Sequence, residues 1–185
     1  MPLTHLDPNA ALVVVDLQKG IVGLPTVDPI AGILQNAAAL ARGFRERQLP
    51  VVLVNVAGRA PGRTDAGPFK FTFPPDWTDL APELDRQPTD HLITKHRVGA
   101  FLGTDLDAYL RSRNVTQIVL AGVSTSSGVE ATARSAYDLG YHVVFATDAM
   151  TDMSRDMHDH SVEKAFPKIG ERDLTAAVLA QLTSR

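Results

Sequence analysis

The chain has 185 residues, room for one domain whose core buries about 70% of the surface an unfolded chain exposes. With 44% hydrophobic and 21% charged residues and no residue type in excess, the composition excludes fibrous and disordered readings. Lys and Arg number 18 against 21 Asp and Glu, a formal net charge of -3 with no basic block, so no footprint for nucleic acid or an anionic membrane is present.

Cysteine is absent, which removes disulfides, thiolate metal sites and cysteine nucleophiles together. The longest apolar run, Ala10 to Val15, is far short of the roughly 20 residues that span a bilayer, and the N-terminus lacks the basic and apolar regions of a signal peptide. A cytoplasmic protein with no membrane partner is expected.

Ala11-Leu12-Val13-Val14-Val15 is a continuous apolar run, the signature of a strand buried on both faces, and it delivers Asp16 at its carboxyl end. Asp28 as N-cap and Pro29 at the first helical position predict an amphipathic helix with Ile30, Ile33, Leu34, Ala37, Ala41 and Phe44 on one face, ending near Gln48. Val51 to Val56 repeats the buried-strand pattern and completes a right-handed βαβ unit. From Ala57 to Thr89 the periodicity is lost to scattered Gly and Pro. Phe69, Phe71, Phe73 and Trp77 make this segment a pocket wall or lid, or else a satellite cluster or subunit contact.

His91 to Thr94 reads as a third strand, leading to Lys95. Thr104 caps a helix carrying Leu106 and Leu110, and Gln117 to Ala121 is a fourth strand running into Gly122-Val123-Ser124-Thr125-Ser126-Ser127-Gly128. A helix with Val129, Ala133, Ala136 and Tyr137 on its apolar side stops at Gly140, and Tyr141 to Ala146 is the fifth strand, followed by Asp148. A helical stretch from Asp152 to Lys164, a short edge strand near Phe166 and a helix from Arg172 to Leu182 complete the chain.

This alternation predicts an α/β fold: one domain over residues 1–185 with an open parallel sheet of five to six strands, flanked by helices on both faces, and ligands bound beyond the carboxyl ends of the strands. That rim receives Asp16, Lys95 and the Ser124 to Gly128 turn; Asp148 either joins them or caps the next helix. Asp156, His158, Asp159 and His160 form a polar cluster. His158 and His160 are two apart and diverge on a helix, so a solvated helix start or subunit contact is expected rather than a metal site. Ser126 and Ser127 sit where helices take their N-caps. Gly20, Gly23 and Gly32 do not form a dinucleotide-binding turn.

Three segments, Val-Val-Val-Asp16-Leu-Gln18, Lys95-His-Arg97-Val-Gly-Ala-Phe101-Leu-Gly-Thr104-Asp-Leu106 and Ala-Gly122-Val-Ser-Thr125-Ser-Ser-Gly128-Val-Glu-Ala-Thr132-Ala-Arg134, resemble the isochorismatase-like hydrolases of the cysteine hydrolase superfamily. The resemblance spans nearly the whole chain and implies a Rossmann-like three-layer fold. In most of the family the catalytic set is aspartate, lysine and cysteine; it implies Asp16 and Lys95 here, with Gly128 at the cysteine position. It further implies Gln18, Arg97, Val123, Ser124, Thr125 and Ser127, with Trp77 from the aromatic segment, around the substrate, a cis Val123-Ser124 peptide, and a homodimer or homotetramer. Isochorismatases proper carry glycine at the cysteine position and cleave an enol ether, the aspartate protonating the enolpyruvyl methylene. The chain departs from them at Gly58, where they place the glutamine of an Ala-Gln-Pro segment. It also lacks the Asp-x-His element of zinc-binding nicotinamidases, so neither a metal nor another cofactor is implied.

The residues themselves leave three readings open. One is a hydrolase acting on a small anionic substrate (an enol ether or C–N bond) by acid/base catalysis through Asp16 and Lys95. The second is an amidase or lyase in which Asp16 activates water, and the third a non-catalytic member that binds a small molecule or a partner. Asp16 is pulled both ways, since burial raises a carboxyl pKa and a neighbouring ammonium lowers it. Removing either charge is expected to leave the melting temperature unchanged or raised.

Overall fold

The computed structural model describes residues 2–65, 67 and 72–183. Six strands, β1 (Ala10–Val15), β2 (Val51–Val56), β3 (His91–Lys95), β4 (Gln117–Val123), β5 (His142–Thr151) and β6 (Glu171–Asp173), form one sheet in the order β3-β2-β1-β4-β5-β6. Every pairing is parallel. The central strands β1 and β4 are buried at every residue, as their unbroken apolar runs require.

Alternate residues of each strand feed two cores. Leu12, Val14, Leu53 and Val119 pack against α2 (Ile30–Glu46) and α6 (Thr175–Thr183), with Phe44 and Leu40 wholly buried. Val13, Val15, Val54 and Leu120 face α3 (Leu106–Ser112), α4 (Glu130–Asp138) and the segment around Phe166. Two short helices, α1 (Lys19–Val22) and α5 (Arg155–His160), lie at the carboxyl edge of the sheet. Among the described residues no helix is long and apolar enough to cross a membrane.

Several expectations shift in detail. Pro29, not Asp28, stands at the cap of α2, and the Asp28 carboxylate is drawn away to Arg155 and the Thr151 hydroxyl. Tyr137, expected on the buried side of α4, is 53% exposed; Ala133 and Ala136 make the contact instead. The sixth strand lies at Glu171–Asp173 and the last helix starts at Thr175, because Phe166 is held in a 3₁₀ turn stacked on Phe145 at 3.7 Å.

Of the two readings of Asp148 the structure bears out the helix cap, on the last helix instead of the next one. Leu120 pairs with Phe145 and Gly122 with Met150, so β5 advances five residues while β4 advances two. The surplus bulges out and carries Asp148 to α6, where its Oδ1 accepts from the Thr175 N–H and hydroxyl, both at 2.7 Å. It caps the first turn of the last helix rather than joining the rim above β1 and β4.

Candidate active site

The strand order reverses between β1 and β4, so the chain leaves these two strands in opposite directions and opens a crevice at their carboxyl ends. Gly122 lets the strands close up at that point: a Cβ there would lie 1.9 Å from the Val15 carbonyl oxygen, and its φ is +121°. Asp16, the first residue beyond β1, turns into the crevice with φ 54°, a left-handed conformation that the short polar side chain of aspartate tolerates. Its N–H is anchored on the Val54 carbonyl at 2.9 Å.

Lys95 ends β3 and reaches past the end of β2 to place Nζ 2.8 Å from Asp16 Oδ2. The ammonium also donates to the Arg97 carbonyl at 3.2 Å. Both residues are buried, Asp16 at 6% and Lys95 at 3% exposure. Burial pushes the Asp16 carboxyl up to about 6, against the charge and hydrogen bond of Lys95, which pull it down. Its second oxygen, Oδ1, is buried without a partner, so the ionised form is held from one side only.

The third wall is the turn after β4. The Val123-Ser124 peptide is cis, and residues Thr125–Val129 form a single π turn that leads into α4. Gly128 faces the ion pair: a Cβ there would lie 3.3 Å from Asp16 Oδ2 and 3.1 Å from Val15 Cγ1. The turn is pinned from behind. Buried Asp152 accepts from the Ser126 N–H (2.8 Å) and hydroxyl (2.7 Å), and the Thr125 hydroxyl contacts His158 Nδ1 at 2.9 Å. His158 is thus a buried buttress rather than part of a solvated helix start. Among the described residues, no group of three or more His, Cys, Asp or Glu is placed to hold a metal ion.

Asp16, Lys95, Gly128, Arg97, Val123, Ser124 and Ser127 all line one cavity of about 210 Å³. Ile21, Val56, Gly58, Arg59 and Val98 complete it. Of these, Gly58 and Arg59 carried a usable signal, since they leave a parallel strand at its carboxyl end as Asp16 does.

Gln18, Thr125 and Trp77 stand behind the wall rather than in it. Gln18, fully buried, accepts from the Val56 N–H at 2.6 Å and donates to the carbonyls of Val56 (3.0 Å) and Trp77 (2.8 Å). Trp77 donates Nε1–H to the same Val56 carbonyl, and its ring covers Gly20, where a Cβ would collide at 2.2 Å. Phe73 packs on that ring at 5.0 Å; Phe69 and Phe71 lie outside the described residues. Gln18→Ala should cost about 2 to 4 kcal/mol, because it empties a packed position and strands backbone groups. A lowered denaturant midpoint with altered emission from Trp77, the single tryptophan, is the expected result; an unchanged midpoint would contradict it.

Comparison with known proteins identifies the class. The isochorismatase domain family matches residues 10–177. The chain is 40% identical over 181 residues to the isochorismatase family protein YwoC of Bacillus subtilis (strain 168), covering 94% of each. An isochorismatase family protein of known structure from Burkholderia thailandensis superposes with a TM-score of 0.92 at 42% identity, over 97% of this chain and 98% of that one. The streptothricin hydrolase of Streptomyces noursei is 34% identical over 140 residues, 75% of this chain and 48% of that protein. The chain belongs to the isochorismatase family.

Proposed function

We propose that the protein is a cysteine-free hydrolase that acts on a small anionic substrate by acid/base catalysis through Asp16 and Lys95. One observation carries this reading: the position facing the Asp16–Lys95 pair is Gly128, so the pair has space for substrate and no side-chain nucleophile beside it. The nearby hydroxyls do not replace a thiol. Ser126 Oγ is bound to Asp152 and Ser124 Oγ to Met153 Sδ, and among the described residues no histidine is hydrogen-bonded to Ser127.

On an enol ether, the Asp16 carboxyl donates its proton to the methylene carbon, producing an oxocarbenium ion at the ether carbon. Water adds to that carbon and returns a proton to the Asp16 carboxylate, and the hemiketal breaks down to an alcohol and a carbonyl compound, a keto acid where the ether carbon carries a carboxylate. Lys95 holds the carboxyl in place and stabilises the carboxylate left once the proton has gone. The pKa of about 6 leaves a useful protonated fraction near neutrality. Relatives include an enzyme named for amide hydrolysis, the ureidoacrylate amidohydrolase RutB of Agrobacterium fabrum (strain C58 / ATCC 33970), and on an amide substrate the ionised Asp16 would instead activate water.

A panel of small enol ethers, amides and esters, followed by proton NMR, tests this. The expected result is a keto-acid methyl signal from an enol ether, lost in Asp16→Asn. Release of ammonia or an amine alone would replace the acid mechanism with the base mechanism. No turnover, with thermal stabilisation by a metabolite, would make the protein a binding member of the family.

A further inference from the structure

The chain has no cysteine, so its oxidisable sulfur rests with four methionines. Three of them, Met150, Met153 and Met157, lie among the described residues. Met150 is wholly buried in β5, whereas Met153 and Met157 are 44% and 53% exposed. Met157 borders a separate groove with Glu130 and Ser161. Met153 instead touches the candidate site: its Sδ accepts from the Ser124 hydroxyl at 3.3 Å in a contact open to solvent, and Ser124 lines the cavity that holds Asp16 and Lys95.

The backbone of Met153 is tied to the same turn. Its N–H donates to Asp152 Oδ1 at 2.8 Å, and Oδ2 of that carboxylate accepts from the Ser126 N–H at 2.8 Å and hydroxyl at 2.7 Å. Asp152 is itself buried, and its carbonyl accepts from the Val27 N–H at 2.8 Å. A change of size or polarity at the Met153 sulfur therefore acts against a fixed backbone and falls on Ser124. A thioether is a weak acceptor. Its sulfoxide is polar and carries an oxygen that accepts more strongly, and that oxygen needs room where sulfur and hydroxyl already touch.

We propose that Met153 is an oxidation site coupled to the turn between β4 and α4, and that a peroxide acting on its sulfur loosens this wall of the cavity. One peroxide oxygen is transferred to Sδ as the O–O bond breaks; the sulfur gives up two electrons and the peroxide is reduced to water. The new oxygen pushes on Ser124 and takes over its hydroxyl, which draws the turn off Asp152 and weakens the bonds to Ser126. Sulfoxide reductases return the thioether, so the change is reversible. Its consequence for catalysis rests on the reading of this cavity as the active site.

Hydrogen peroxide treatment of the full chain, followed by peptide mass mapping, should add oxygen to Met153 and Met157 and leave Met150 unmodified. Amide hydrogen exchange over residues 122–129, read by mass spectrometry, should then be at least about threefold faster, as expected when the net contribution of one hydrogen bond is lost. Met153→Leu keeps the volume without the oxidisable sulfur and should abolish that response. Met157→Leu should keep it, and a methionine sulfoxide reductase should reverse it. Met153 no more reactive than Met150, an oxidised Met153 with unchanged exchange in the turn, or a response that persists in Met153→Leu would overturn the proposal. On a substrate found by the turnover panel, oxidation should lower kcat/KM of the parent and spare Met153→Leu; equal turnover before and after oxidation would overturn it as well. Absence of turnover removes the hydrolase reading and leaves the exchange result to decide the oxidation site, whereas turnover without a response to peroxide does the reverse.

Discussion

Asp16→Asn and Lys95→Ala should each lower the catalytic rate by about 100-fold or more, and the two losses should not add, because the residues act as one unit. Their thermal consequences follow from the geometry and differ from the expectation drawn on sequence. The side chains meet at 2.8 Å with 8% and 3% exposure, and breaking such a buried pair leaves an uncompensated charge, at a cost of about 3 to 5 kcal/mol. Asp16→Asn should therefore destabilise rather than leave the melting temperature unchanged or raised. Lys95→Ala should be milder at low pH: loss of the ammonium removes what holds the Asp16 pKa down, so the carboxyl takes up a proton and loses its charge. The double variant Asp16→Asn, Lys95→Met should recover most of the melting temperature and none of the activity. Activity within a few-fold of the parent in either single variant would remove that residue from the chemistry.

Gly128→Cys should produce a reactive thiol. The position lies in the π turn that opens the helical stretch into α4, next to Asp16 and within the same cavity as Lys95. The new Cβ would sit 3.1 Å from Val15 Cγ1 and 3.3 Å from Asp16 Oδ2, so the protein should fold at a cost of about 1 to 3 kcal/mol for the crowding. The helix N-terminus and the Lys95 ammonium favour thiolate, and the apparent thiol pKa should fall below the reference of about 8.5. As the chain has no other cysteine, alkylation by iodoacetamide at pH 7 reads this site alone. It should be faster than for a free thiol, slowed by Lys95→Ala and quickened by Asp16→Asn. A slow thiol indifferent to both changes would show that the three positions do not form one electrostatic unit.

The sheet and much of the site are legible in the sequence because a parallel strand covered on both faces leaves an uninterrupted apolar run. The segment read as the second strand coincides with Val51–Val56 end to end, and the first and fourth strands differ from their expected spans only by end residues. Once these strands are parallel and adjacent, Asp16 and the turn to Gly128 must share an edge. Other features depend on contacts between residues far apart in the chain. The bulge in β5 that diverts Asp148 to Thr175 is a matter of register against β4, and no local pattern encodes it. Asp28 has the residue type and position of an N-cap, yet Arg155 and Thr151 draw it away. Gln18 sits two residues after Asp16 and looks like a ligand-binding amide, but its buried surroundings make it the clamp that fixes β2 and the Trp77 segment.

Whether Asp16 delivers a proton to substrate is tested most directly by the pH dependence of kcat/KM for an enol ether turned over by the protein, since it follows ionisations of the free enzyme. An acid with a pKa of about 6 predicts a rate that is level below that value and falls tenfold per pH unit above it, with the bend moved upward by Lys95→Ala. A rate that instead rises through pH 6 to a plateau would mean that the ionised carboxylate is the active form, and would contradict the assignment of Asp16 as the acid.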